Sequence, residues 1–483
     1  MPNFIDNISP VGGKLYGKDV AGNVGFLKTV AYDHYRVALL GDSITSRSVI
    51  SLYPHQSVSA IAVWNQANFL LGSPFIWTSP LAMPGATTVM IMSLIASIPS
   101  NTRLVFLMTG TNDIYNMSSL ANQGTIDSNY NSLTALISAG VASMVSCGKI
   151  VVISTVIPNS AYSSDTDSRI QLLDRVNTFI SGLANGTTIF VVDGFTAMWD
   201  DAQPTLRVAK TNYLQDGTHP SAIGALEFGY TAMAPIKSAV ARCTPDIDIY
   251  RDFNPALIKY NAFRRSTGGL AGVMGVGCTG TIADGWYVFR LAGTPTAILD
   301  ASIPYTKDMT NFIGGWNLKP VGGESFWQEM TIDSTANGDA INFVKNGTFN
   351  NTTGSIEGVC GGFMAFAEIE IDIVSQVNLG EISFNLVCYY TKGTAPVNIP
   401  YTGSYTFSSS SAGSTTDNGC TKRAMTRANR KVLRTPVFRF PENISDGEVK
   451  IDLATSISFV GNGNALLRLA RPSLWINSGG RLS

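Results

Sequence analysis

Ser43, Asp216 and His219 have the residue types and spacing for acyl-transfer chemistry. Ser43 lies in Gly41-Asp42-Ser43-Ile44, and the other two lie in Asp216-Gly217-Thr218-His219-Pro220. A serine hydroxyl is a weak nucleophile until a base takes its proton. Imidazole titrates near neutrality, so it takes that proton and later returns it. A carboxylate fixes the tautomer of the imidazole and stabilises the imidazolium. The chain has only 3 histidines, and only His219 follows an aspartate by three residues. His34 and His55 have no such setting and read as surface or packed side chains. No G-x-S-x-G turn offers a rival nucleophile. Alone, Gly-Asp-Ser is an ordinary turn sequence; the case rests on the combination.

Two further segments lie between Ser43 and His219. Met83-Pro84-Gly85-Ala86 precedes a helical stretch, and Val105–Met108 is an apolar run that ends in Gly110-Thr111-Asn112-Asp113. With these four blocks in order, residues 36–243 resemble the SGNH (GDSL-type) hydrolase family. The resemblance implies a nucleophile at Ser43 and a Ser43–His219–Asp216 triad. It also implies an oxyanion hole built from the Ser43 N–H, the Gly85 N–H and the Asn112 amide. Ile44 stands where the family has leucine, and both are apolar. Acyl transfer builds negative charge on the carbonyl oxygen, so three fixed donors facing it suit the chemistry. Asp113 is expected to brace its own turn by local hydrogen bonds. The resemblance implies no cofactor, and the sequence shows no metal-ligand spacing.

The elements that must position these residues are readable as alternating strands and helices. Arg36–Leu40, Leu104–Met108, Ile150–Val156 and Thr188–Val192 are short apolar runs of the kind that form buried parallel strands. Thr87–Ile98, Tyr130–Met144 and Ser168–Leu183 read as helices between them. This alternation predicts an α/β unit with a flavodoxin-like parallel sheet. Ligands of such sheets sit beyond the carboxyl ends of the strands, where Ser43 and Asn112 both fall.

From about residue 250 the pattern changes to period two. In Phe366–Ile373, Glu368, Glu370 and Asp372 share one face, and Ile369, Ile371 and Ile373 share the other. Ile382–Leu386 and Val449–Leu453 repeat it, and Leu467–Pro472 reads as a late strand. Many short strands without helices predict an antiparallel β-sandwich, jelly-roll-like, which loosely resembles the carbohydrate-binding modules of polysaccharide-active enzymes. The expected organisation is an N-terminal arm at 1–35, a hydrolase domain at 36–243, a linker at 244–255 and the sandwich at 256–483. Trp286, Trp316, Trp327 and Trp475 lie in the last of these, as core residues or as a sugar-stacking platform. The basic stretch from Lys422 to Arg434 reads as a solvated loop, or else as a holder of an acidic glycan or a neighbouring subunit.

Composition bounds the function classes. The net charge is −1 and charged residues are 14% of the chain. That balance argues against a nucleic-acid partner, which requires concentrated Lys and Arg. No apolar run is long enough to span a bilayer. The first residues lack the features of a secretory signal. The expected location is therefore extracellular or on a virion surface, reached after signal removal or by release on lysis. The 6 cysteines are scattered and read as free thiols.

The reading that results is a serine esterase that removes O-acetyl groups from a polysaccharide, with a glycan as its partner. A phage tail or receptor-binding protein is the expected carrier, and such a carrier would be a homo-oligomer, often a trimer, bound to other virion proteins. The alternatives are a non-catalytic glycan-binding adhesin on a hydrolase scaffold and a lipase or thioesterase.

Overall fold

The computed structural model describes residues 33–243 except 49, 53–54, 60–61, 74 and 76, and residues 272–304 except 284. It also describes 326–348, 364–392, 395–408, 432–439, 449–477 and the short strands at 9–11, 14–18, 24–26 and 254–255. Near the N-terminus, β1 (Ser9–Val11), β2 (Lys14–Lys18) and β3 (Val24–Phe26) pair as an antiparallel sheet. Then come β4 (Asp33–Gly41), α1 (Ser43–Ser46), β5 (Ile50–Leu52), β6 (His55–Ser59), α2 (Val63–Leu70), β7 (Trp77–Ala82) and α3 (Thr88–Ser93). The α/β unit continues through β8 (Thr102–Leu107), α4 (Thr111–Tyr115), α5 (Gln123–Ser146), β9 (Ile150–Ser154) and α6 (Ser168–Ser181). It ends with β10 (Ile189–Val192), α7 (Gly194–Met198) and α8 (Ala222–Ala241).

Strands β4, β7, β8, β9 and β10 form a parallel sheet in the order β10-β9-β8-β4-β7. Numbered along the chain, that order is 2-1-3-4-5, as the flavodoxin-like reading expects. Every residue of β9 is buried, as a continuous apolar run requires when helices cover both faces. On one face, Ile126, Leu133, Ile137, Val141 and Met144 of α5 form a buried stripe against the sheet, joined by Leu173, Val176 and Ile180 of α6. On the other face lie α2 and α8. The Cβ that a side chain at Gly229 of α8 would carry meets the backbone of Ala67 at 2.8 Å, so glycine there permits the close approach of the two helices.

The rest of the chain is β-rich. Its strands are β11 (Asn254–Pro255), β12 (Val273–Met274), β13 (Cys278–Gly280), β14 (Tyr287–Ala292), β15 (Thr296–Pro304) and β16 (Phe326–Ser334). They continue as β17 (Asn337–Thr348), β18 (Met364–Lys392), β19 (Ala395–Ser408), β20 (Val432–Arg434), β21 (Phe438–Arg439) and β22 (Val449–Asn477). β18 and β22, of 29 residues each, pair antiparallel; β19, β20 and β21 also pair with β18, and β11, β16 and β17 with β22. Register shifts interrupt this pairing between Glu368 and Glu370, Ile373 and Ser375, Val377 and Leu379, and Leu379 and Glu381. Two strands of this sheet come from the segment between Ser43 and Gly85, because β6 pairs in parallel with β19 and β5 pairs with β6. In the expected linker, Asn254 and Pro255 pair with the end of β22.

The two regions share packing. Phe69 and Leu70 of α2 and Ala222 and Leu226 of α8 belong to the same apolar cluster as Ile369, Ile371 and Phe384 of β18. At the same junction Arg434 forms a buried ion pair with Glu368, with Nη2 2.6 Å from Oε2, and also donates to the Ser73 carbonyl. Ser73 in turn donates to the Val432 carbonyl. This accounts for the burial of Glu368 on the strand face that also holds Glu370. It also makes Arg434, at the end of the basic stretch, a structural residue; the other basic residues of that stretch, Lys422 to Lys431, lie outside the described residues. Trp286 and Trp327 are buried, and Trp286 stacks on Phe343 with centroids 4.6 Å apart, so both serve the core. Trp316 lies outside the described residues, as does the side chain of Trp475. Cys243 and Cys278 are buried free thiols, whereas Cys147 is exposed. Burial pushes the Cys243 thiol up to about 11. No helix among the described residues is long and apolar enough to cross a membrane.

Candidate active site

The loops that follow β4, β7 and β8 lie side by side because their strands are neighbours in the sheet. Ser43 is the first residue of α1, directly beyond β4. Asp42 caps that helix, its Oδ1 accepting from the Ile44 N–H at 2.9 Å. Gly85 follows β7 in a turn closed by the Ala86 N–H donating to the Met83 carbonyl at 3.1 Å. Its φ of +75° is the left-handed conformation that favours glycine. Asn112 sits in the first turn of α4, just past β8.

A fourth loop precedes α8 and carries Asp216 and His219. It is pinned from the segment after β9. The Ser160 N–H donates to the Gly217 carbonyl at 2.9 Å, and the Asn159 amide donates to Thr218 Oγ1 at 3.1 Å. Ser221 caps α8 immediately beyond, so the histidine loop is fixed at both ends.

The fold brings Ser43, His219 and Asp216 into one hydrogen-bonded line. His219 Nε2 is 2.8 Å from Ser43 Oγ, and His219 Nδ1 is 2.7 Å from Asp216 Oδ2. The other carboxylate oxygen of Asp216 accepts the N–H groups of Thr218 at 3.1 Å and His219 at 2.8 Å. Partial burial by itself would raise the Asp216 carboxyl. The N–H and ring of His219 and the N–H of Thr218 outweigh it and hold the group at about 2. Asp42 goes the opposite way. Its burial raises it, against the lowering effects of the Ile44 N–H, the Thr111 side chain and the nearby His219. The shift at Asp42 follows from its buried place as the cap of α1, whereas that at Asp216 follows from hydrogen bonds to its own loop and to the His219 ring.

The two expected side-loop donors are also adjacent. The Asn112 amide donates to the carbonyl of Ala86, next to Gly85, at 2.9 Å, and lies 3.5 Å from Asp42 Oδ2. The Ser43 N–H belongs to the first turn of a helix, where N–H groups lack intrahelical partners.

Three contributors were not foreseen from sequence. Asp42 was within the quoted motif but had no role. Arg47, one turn beyond Ser43, places Nη2 3.6 Å from Asp216 Oδ2, and no sequence signal links positions 169 residues apart. Asp113 bonds to Thr88 rather than within its own turn. The side chains of His34 and His55 lie outside the described residues. No group of three or more His, Cys, Asp or Glu among the described residues is arranged to hold a metal.

Residues 39–225 match the GDSL-like lipase/acylhydrolase family. No curated protein matches the chain. Among solved structures, a GDSL-like lipase from Bacteroides thetaiotaomicron is 18% identical, with 44% of this chain and 90% of that one covered and a TM-score of 0.32. An acetylxylan esterase from Geobacillus stearothermophilus is 16% identical, covering 43% of this chain and 96% of its own, with a TM-score of 0.33. A lipase from a goat rumen metagenome is 15% identical, covering 43% and 99%, with a TM-score of 0.34.

Proposed function

We propose that this GDSL-like domain is a serine carboxylic ester hydrolase that works through Ser43, His219 and Asp216. The observation that carries the reading is the continuous hydrogen-bonded line from the Asp216 carboxylate through the His219 ring to Ser43 Oγ, at 2.7 and 2.8 Å. His219 takes the Ser43 proton as Oγ attacks the ester carbonyl carbon. The developing oxyanion is held by the N–H groups of Ser43 and Gly85 and by the Asn112 amide. His219 then gives the proton to the departing alcohol. Water, deprotonated by the same imidazole, attacks the acyl-enzyme, and the acid leaves as Oγ regains its proton. Asp216 stays ionised throughout, because its own hydrogen bonds hold it at about 2.

The substrate we propose is an O-acetylated polysaccharide. The support is a mostly uncharged chain, with 14% charged residues, and a β-rich region fused to the catalytic unit. The test compares p-nitrophenyl acetate with longer-chain esters, then measures acetate released from acetylated polysaccharides. Preference for acetate and release from a glycan support the reading. Preference for long acyl chains points instead to a lipase, and a folded protein inert to every ester points to an adhesin.

A further inference from the structure

The segment Gly85–Thr87 is held in an unusual way. Gly85 is exposed, and a Cβ built on it would touch nothing within 4 Å, so packing does not fix it. Thr87 occupies the N-cap of α3, where a threonine ordinarily accepts a first-turn N–H, yet its side chain makes no such bond. The cap comes from α4 instead. Asp113 Oδ2 accepts the Thr88 N–H at 2.9 Å and the Thr88 hydroxyl at 2.8 Å. Thr88 Oγ1 also lies 2.7 Å from Thr109 Oγ1, at the end of the strand that leads into α4. One residue earlier, the Asn112 amide donates to the Ala86 carbonyl at 2.9 Å. Adjacent residues of α4 thus grip the chain on either side of Thr87, and both grips join the loop after β7 to the loop after β8.

Those loops carry two of the three oxyanion donors proposed above. We infer that Asp113 is a positioning residue that holds the Gly85 N–H and the Asn112 amide in register through Thr88. The inference rests on the esterase reading. Catalytic donors act at full strength only when fixed, and a misplacement of roughly 1 Å costs on the order of a hundredfold. Both bonds from Thr88 end on a single oxygen, so an amide carbonyl at 113 can replace the carboxylate.

The test is a double-mutant cycle on p-nitrophenyl acetate with Asp113→Ala, Asp113→Asn and Asn112→Ala, alongside hydrogen exchange of residues 83–88. Asp113→Ala is expected to lower kcat roughly ten- to hundredfold, with KM changed less than about twofold. Asp113→Asn is expected to stay within about fivefold of wild type. In the Asn112→Ala background, Asp113→Ala should cost several-fold less than it does in wild type, because one of the two donors it positions is already gone. Exchange at 83–88 should quicken in Asp113→Ala. Wild-type kcat in Asp113→Ala, or an equal loss with and without Asn112, would overturn the inference. A wild type with no turnover sinks the esterase reading instead. Exchange then decides for Asp113: protection unchanged in Asp113→Ala overturns the tie.

Discussion

Asp216 in the α/β unit and Asp339 in the β-rich region begin alike and end in different surroundings. Both accept several N–H bonds from turns, and both carboxyls are held below the ordinary range although burial opposes it. Asp339 spends all its capacity on structure. Its Oδ2 accepts from Thr335, Ala336 and Ser334, and its Oδ1 accepts from the Thr294 N–H across the sheet. Only 1% of its surface is exposed. Asp216 spends one oxygen on its own loop and keeps the other for an imidazole, with 46% of its side chain exposed. A lowered carboxyl therefore does not by itself mark chemistry. What marks it is an acceptor left over and aimed at a base.

That contrast is breakable by substitution. Asp216→Asn is expected to cut turnover by about 10⁴-fold with only a modest fall in thermal stability at pH 7, since the amide favours the wrong imidazole tautomer while the folding contribution lost is that of one half-exposed carboxylate. Assay and melting curve on the same sample check it. Glu368→Ala should do the reverse. It leaves the Arg434 guanidinium buried without its partner, a loss of about 3–5 kcal/mol by denaturant titration. Asp339→Ala strips acceptors from buried N–H groups and should cost about 1–3 kcal/mol, with kcat unchanged.

A subtler contrast lies in pH. Asp216 drops from its ordinary 3.8 to about 2 on folding, so its contribution is present above pH 4 and fades as pH falls toward 2. Asp216→Asn should flatten the dependence of stability on pH within that window and nowhere above it, as melting between pH 2 and 6 would show. The smallest effect concerns thiols. Cys147→Ser should remove one rapidly labelled thiol from the native protein, whereas Cys243→Ser should leave rapid labelling unchanged.

The legible parts of the molecule were those with local signals. Buried parallel strands announce themselves as unbroken apolar runs, and β4, β8, β9 and β10 lie where such runs were read, within a few residues at their ends. Trp77–Ala82 escaped notice because it is an edge strand containing Pro80, with no continuous apolar run. α8 escaped because Gly224, Gly229 and Pro235 interrupt its helical pattern, although Gly229 is what lets it lie against α2. The residues of the site are short motifs and so were readable one by one. The bonds between them were not. Asp113 was expected to brace its own turn, yet it reaches 25 residues back to Thr88. Arg434 sat in a stretch that reads as solvated, yet its partners are Glu368 and Ser73, the latter 361 residues away. Such pairings are set by tertiary packing, and no local pattern encodes them.

The central claim is that Ser43 is a nucleophile activated by His219. A fluorophosphonate, which phosphonylates an activated serine with loss of fluoride, followed by peptide mass mapping, tests it most directly. One label per chain on Ser43, with at least a hundredfold slower labelling in His219→Ala, is the expected result. A folded protein that takes no label, or labelling of Ser43 at the same rate without His219, would contradict it.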